Sequence, residues 1–125
     1  MVIQRLALDN ILLSNVCDIR FERKIQTPGK PPTRRMWCTK NYDLLNSTNG
    51  RVTLNYRPPT HPKKINEAAS NILVVWDILM QDYRTVSFEQ CELLKEVPAD
   101  EKFWVFFNEH IYPMSSDQKL QFMNS

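Results

Sequence analysis

The stretch VCDIRFERKIQTPGKPPTRRMWCTK, Val16 to Lys40, decides how this chain folds. Its opening run alternates, with Cys17, Ile19 and Phe21 on one side and Asp18, Arg20, Glu22 and Lys24 on the other. Successive side chains of extended backbone point to opposite faces, so this period of two predicts a half-buried strand over Val16 to Ile25. Between Gln26 and Thr33 three prolines remove backbone donors and fix φ, and Gly29 relieves the turn, which makes this segment a hairpin tip. Alternation resumes over Arg34 to Lys40, with Met36 and Cys38 facing one way and Arg35, Trp37 and Thr39 the other. Either this second strand sets Trp37 among arginines, or it turns Trp37 inward and leaves Met36 and Cys38 outside.

Ahead of the hairpin, Ile3, Leu6, Ala7, Ile11 and Leu13 recur at helical spacing and Ser14-Asn15 supplies a stop, so residues 1–15 are expected as an amphipathic helix. Beyond it, the turn signal Asn46-Ser-Thr-Asn-Gly50 precedes Val52, Leu54 and Tyr56, which alternate with Arg51, Thr53, Asn55 and Arg57. This predicts a third strand with a basic outer face. Residues 58–64 form an extended, basic, proline-stiffened loop. Ile72 to Ile78 is a strand buried on both sides, and Asp77 at its end is expected to orient the following turn. Leu79 to Asp82 makes that turn, Tyr83 to Phe88 a further strand, and Glu92 to Val97 a sixth. Asp100 is placed to cap a helix that carries Phe103, Trp104, Phe106, Phe107 and Ile111 as far as Pro113, with a strand over Phe103 to Phe107 as the competing reading. Ser115 or Ser116 caps a last turn bearing Leu120, Phe122 and Met123. The expectation is one mainly β (α+β) domain: a helix over 1–15, a small, partly open antiparallel barrel of five or six strands over 16–97, and an aromatic C-terminal extension over 98–125.

The chain's 125 residues match one core, and its 42% hydrophobic and 24% charged residues are ordinary globular values, which argues against a fibrous or disordered protein. The first stretch is interrupted by Gln4, Arg5, Asp9 and Asn10 too early for a signal or membrane segment, so a cytoplasmic protein is expected. Cys17, Cys38 and Cys91 are odd in number and widely spaced, and read as buried thiols rather than a disulfide framework. The net charge of +2 is unevenly spread. From Arg20 to Lys64 there are eleven Lys and Arg against Glu22 and Asp43, and from residue 65 onward four bases against ten acids. The first half is thus suited to an anionic partner.

Two stretches, Val16 to Thr39 and ILVVWDILMQDYRTVSFEQC (Ile72 to Cys91), resemble the small Sm-like, SH3-barrel proteins of tailed bacteriophages, a group distantly related to the WYL domain. The resemblance is carried by a strand leading through a Gly-containing hairpin to Arg34, Met36, Cys38 and Thr39, and by a later hairpin with Trp76, Asp77, Tyr83, Arg84 and Thr85. It covers about half the chain. The region Asn46 to Lys64 and everything from Phe103 onward depart from the pattern. A barrel and a phage origin are what the resemblance implies; it transfers no activity.

Catalytic and cofactor chemistry finds little support. His61 and His110 neighbour no chelating motif, so no metal or other cofactor is expected. Neither a phosphate-cradling glycine loop nor a nucleophile elbow occurs, and each cysteine sits in a strand-like run. The protein is therefore read as a non-enzymatic binding protein without a small-molecule substrate. The leading expectation is DNA or RNA held on a basic β-face by Arg20, Arg23, Lys24, Arg34, Arg35, Arg51, Arg57, Lys63 and Lys64, with Lys30 and Lys40 nearby and Trp37 or Tyr56 stacking a base. The alternative is a protein partner, a host enzyme or defence complex or a second copy, met by an exposed patch of Phe103, Trp104, Phe107 and Tyr112.

Overall fold

A computed structural model describes residues 4–59 and 66–125. Helix α1 (Arg5–Ser14) runs directly into β1 (Asn15–Glu22), and β2 (Thr33–Thr39) returns antiparallel to it with Cys17 opposite Cys38 and Ile19 opposite Met36. The tip between them turns through Gly29, whose φ of 84° lies in the left-handed region that favours glycine. Strands β3 (Ile72–Asp77) and β4 (Asp82–Ser87) form a second hairpin, and β5 (Cys91–Pro98) pairs back onto β1. The five strands make one antiparallel sheet in the order β4-β3-β2-β1-β5.

That order puts β4 and β5 on opposite edges, yet only the 3-10 turn Phe88–Gln90 joins them. Four strand spacings in a flat sheet amount to about 19 Å, whereas the four-residue step from Ser87 to Cys91 reaches at most about 14 Å. The sheet must therefore curl until its edges approach at one end, and the Cys91 thiol donates to Ser87 O at 3.1 Å. No ladder closes the gap between the described edge strands, so the sheet stays open. At the seam, β2 pairs with β3 only at Cys38–Asp77 and Thr39–Trp76. Ile78 N donates to Trp37 O at 2.8 Å, and the first half of β2 runs on past the end of β3.

Both faces of the sheet are covered at its central strands β1 and β2, which resolves the conflict over β2. On one face Leu8 and Leu12 of α1, one helical turn apart, pack on Cys17, Ile19, Met36 and Cys38. On the other, Trp37, Val16 and Trp76 pack against Phe103, Phe107 and Met123 from the C-terminal helices. Trp37 and Met36 are both inside because β2 has two buried sides rather than one.

The expected third strand over Arg51 to Arg57 is instead helix α3 (Thr48–Thr53), which follows α2 (Tyr42–Asn46). Ser47 ends α2 and caps α3, accepting from Gly50 N at 3.0 Å. Gly50 lets the two short helices touch, since a Cβ there would lie 2.2 Å from Leu44 O and 2.4 Å from Leu45 O. The alternation that suggested a strand comes from Leu54 and Tyr56, buried in the segment after α3, whereas Val52 is exposed. A turn signal rich in Ser, Thr and Asn serves equally as a helix cap, and here capping won. The short helix α4 (Glu67–Ser70) leads into β3.

Asp100 caps α5 (Glu101–Phe106) by accepting from Lys102 N at 2.8 Å, and the helix continues as a π-helical turn over Phe107–Ile111. The competing strand over Phe103 to Phe107 does not form. Ser115 caps α6 (Ser116–Met123) in a reciprocal box with Gln118. Among the described residues no helix is long and apolar enough to cross a membrane.

Candidate anion cleft

The two arginines of β2 are held by buried carboxylates. Arg35 donates through Nε to Asp18 Oδ1 at 3.3 Å and through Nη2 to the second oxygen, and its guanidinium lies 4.4 Å over the Phe122 ring. Asp18 has no solvent exposure, so this pairing compensates a desolvated charge. Arg34, 8% exposed, donates from Nη2 to Asp77 Oδ2 at 2.7 Å. Asp77 also accepts from the backbone N–H groups of Leu79 and Met80, at 3.0 and 3.1 Å. It orients the β3–β4 turn, with donors from the turn itself and from β2. Lys40 is likewise consumed, by Asp9 at 2.9 Å and Glu67 at 2.6 Å.

Trp37 is 4% exposed, its ring 4.9 Å from Phe106 and 6.3 Å from Phe122, so in this fold it has no free face for a base. Tyr56 is also buried and shares its hydroxyl with Tyr83 at 2.6 Å. Arg20 faces Glu92 at 3.5 Å, a half-exposed contact of little energetic weight. Arg51 sits on α3 and donates to Asn46, and exposed Arg57 borders a separate small cavity with Trp76 and Asp82. The three-strand basic stripe therefore does not form, because one of its strands is a helix and β2 uses its arginines inside. Lys63, Lys64 and His61 lie outside the described residues.

What the fold does bring together is Arg23, Lys24 and Arg34 with Arg84 of β4. These four line a cleft of about 420 Å³ between the β1–β2 hairpin and β4. Its walls also include Phe21, Ile25, Tyr83 and Val86. The one acidic side chain of the lining is Glu22, which accepts from Gln90 Nε2 at 3.1 Å. Arg23 is braced by Pro31 O at 3.1 Å and Asn124 Oδ1 at 2.6 Å. The Nε atoms of Arg34 and Arg84 are buried with no protein partner among the described residues.

Electrostatics at the cleft run against unliganded charge. Burial pulls Arg34 below its ordinary value; Asp77 counters this, and the neighbouring Arg84 and Arg23 guanidinia push it down further. Burial also raises the Asp77 carboxyl, against the pull of the Met80 N–H and of Arg34 and Arg84. An arginine keeps its proton nonetheless, so the cleft is a concentration of fixed positive charge in a partly dry site. An anion entering it would relieve the mutual repulsion of these guanidinia. Arg84 was missed in the sequence because it belongs to the acidic half of the chain; only the hairpin's return carries it to Arg34.

The C-terminal aromatics pack mostly inward. Phe103 is fully buried, Phe107 is 6% exposed and Trp104 is half-buried, while Tyr112 is exposed at the rim of an apolar groove shared with Val52. The thiols are quiet: burial pushes Cys17 and Cys91 up to about 12 and Cys38 well above its ordinary value. No cluster of three or more metal-ligating side chains occurs among the described residues. Comparison with family models, curated proteins and solved structures finds no match to this chain.

Proposed function

We propose that this domain is a non-catalytic binding module for single-stranded nucleic acid, which it engages at the cleft between the β1–β2 hairpin and β4. The observation that carries the reading is the convergence of Arg23, Lys24, Arg34 and Arg84 on one cavity whose single acid is already bonded to Gln90. Guanidinium forks match phosphate oxygens, and the apolar walls at Phe21, Ile25 and Tyr83 suit a base turned out of its stack. A cavity of this size accepts about one nucleotide, which favours a single strand over a duplex. Burial of Cys17 and Cys38, which raises both thiols, supports binding rather than thiol chemistry. The curled five-strand order, with a helix ahead of β1, supports reading the sheet as an opened Sm-like or SH3-like barrel.

Fluorescence anisotropy with labelled 12-nucleotide DNA and RNA strands tests the reading. The native chain should bind at low salt, and Lys24→Glu with Arg84→Glu should abolish binding while circular dichroism and melting stay native. Equal affinity of the doubly reversed variant would refute the cleft as the site.

A second reading, a protein partner or second copy, rests on Tyr112, which is 74% exposed beside Val52 at 77% on the groove behind α3. Analytical ultracentrifugation tests its self-association form: Tyr112→Ser should convert a dimer to monomer, and a monomeric native chain removes that form.

A further inference from the structure

We infer that the cleft selects a terminal phosphate monoester, a strand end or a free nucleotide, over the internal phosphodiesters of a chain. The inference rests on the nucleic-acid reading above and narrows it to one chemical group.

Three observations converge. The first is depth: Arg34 lines the cleft with its side chain only 9% exposed, so the floor of the site is one that a thread of backbone passing over the surface would reach poorly. An internal diester has nucleotides on both sides and must enter and leave, whereas a terminal group enters end-on. The second is size, since about 420 Å³ stands near the lower end of ligand pockets and holds one nucleotide rather than a run. The third is charge. Four cations, less the Glu22 carboxylate of the lining and the Asp77 carboxylate paired with Arg34, leave about two positive charges, more than a diester of charge −1 neutralises, whereas a monoester carries roughly −1.5 to −2 at neutral pH. With Arg34 paired to Asp77, the charges left for the ligand are Arg23, Lys24 and Arg84.

The test compares the full chain's affinity for one 12-nucleotide sequence carrying a 5′-phosphate, a 3′-phosphate or hydroxyls at both ends, with a nucleoside monophosphate as competitor. One phosphorylated end should bind roughly 10-fold tighter than the hydroxyl-ended strand, the return expected for a further charge met by bidentate donors. Arg84→Gln should erase that preference. Arg34→Lys, which retains a cation for Asp77 but lacks the fork, should reduce it, and serves where Arg34→Gln fails to fold. Competition by the free nucleotide supports the site and makes a nucleotide sufficient; competition only by phosphorylated strands supports the site and adds contacts to the neighbouring nucleotides. Equal, salt-sensitive binding of all three strands overturns the end preference and leaves the nucleic-acid reading standing. Absence of binding by every strand overturns both.

Discussion

Replacing Asp18 by Asn separates arginines that build the fold from arginines free to bind. Asp18 is fully buried on β1 and receives two donors from Arg35, whose side chain is 18% exposed. Asn keeps the size but not the charge, so Arg35 would be left partly desolvated without a counter-ion. Breaking a buried pair from one side costs about 3–5 kcal/mol, and the partial exposure of Arg35 and its stacking on Phe122 place this case near about 3 kcal/mol. With a urea m-value of about 1.5 kcal/mol/M, that loss moves the unfolding midpoint down by about 2 M. Equilibrium urea unfolding followed by tryptophan fluorescence reads it directly. The double change Asp18→Asn with Arg35→Met should recover most of the loss, because both charges then leave together. A midpoint within about 0.5 M of the native value for Asp18→Asn, at unchanged m, would refute the assignment of Arg35 to the core.

Other outcomes follow from the same contacts. Gly50→Ala drives a methyl against the Leu44 and Leu45 carbonyls, which cannot yield as a side-chain tip would, and should cost about 2–3 kcal/mol by thermal melting; a neutral change would mean that α2 and α3 do not touch there. Lys40 is pulled down by burial but raised overall by its hydrogen bonds to Glu67 and Asp9, ending above the ordinary 10.5. A cation with a raised folded pKa contributes stability that is fully present below about 10.5 and is lost as pH climbs through the folded value. Urea midpoints should accordingly fall above that pH in the native chain and fall less in Lys40→Met, and parallel curves would contradict the triad. With Cys17 and Cys91 held up to about 12 and Cys38 raised further by burial, the native chain should show no rapid thiol reaction with Ellman's reagent at pH 8, and three thiols once unfolded. A fast stoichiometric reaction in the native state would contradict their placement.

Much of the fold was legible because it depends on local periodicity. The β1–β2 hairpin, the β3–β4 hairpin, the Asp100 and Ser115 caps and α1 all follow from spacing, turn chemistry and capping, which act within a few residues. What the sequence could not show was which faces would be covered. Alternation on β2 looked like one wet face and one dry one, yet Trp37 meets the C-terminal aromatics while Met36 meets the α1 face, so both parities are apolar for different reasons. The same long-range contacts decide which of the basic residues stay free. Arg34 and Arg35 read as surface charge in the sequence, although their carboxylate partners, Asp77 and Asp18, lie 43 and 17 residues away in the chain. Arg84 belongs to the acidic half of the chain, and the uneven charge along the sequence does not point to it. Ion pairs and clefts are long-range facts, and periodicity carries no information about them.

The salt dependence of single-strand binding tests the central claim most directly. Each phosphate neutralised on a single strand contributes about −0.7 to the slope of log affinity against log salt, so a cleft that takes one nucleotide and one or two of its phosphates predicts a slope between about −0.7 and −1.4. Arg84→Gln should flatten it while Arg51→Gln, on α3 outside the cleft, leaves it unmoved. A slope that answers to Arg51 and ignores Arg84, or no binding even at about 50 mM salt, would contradict the account.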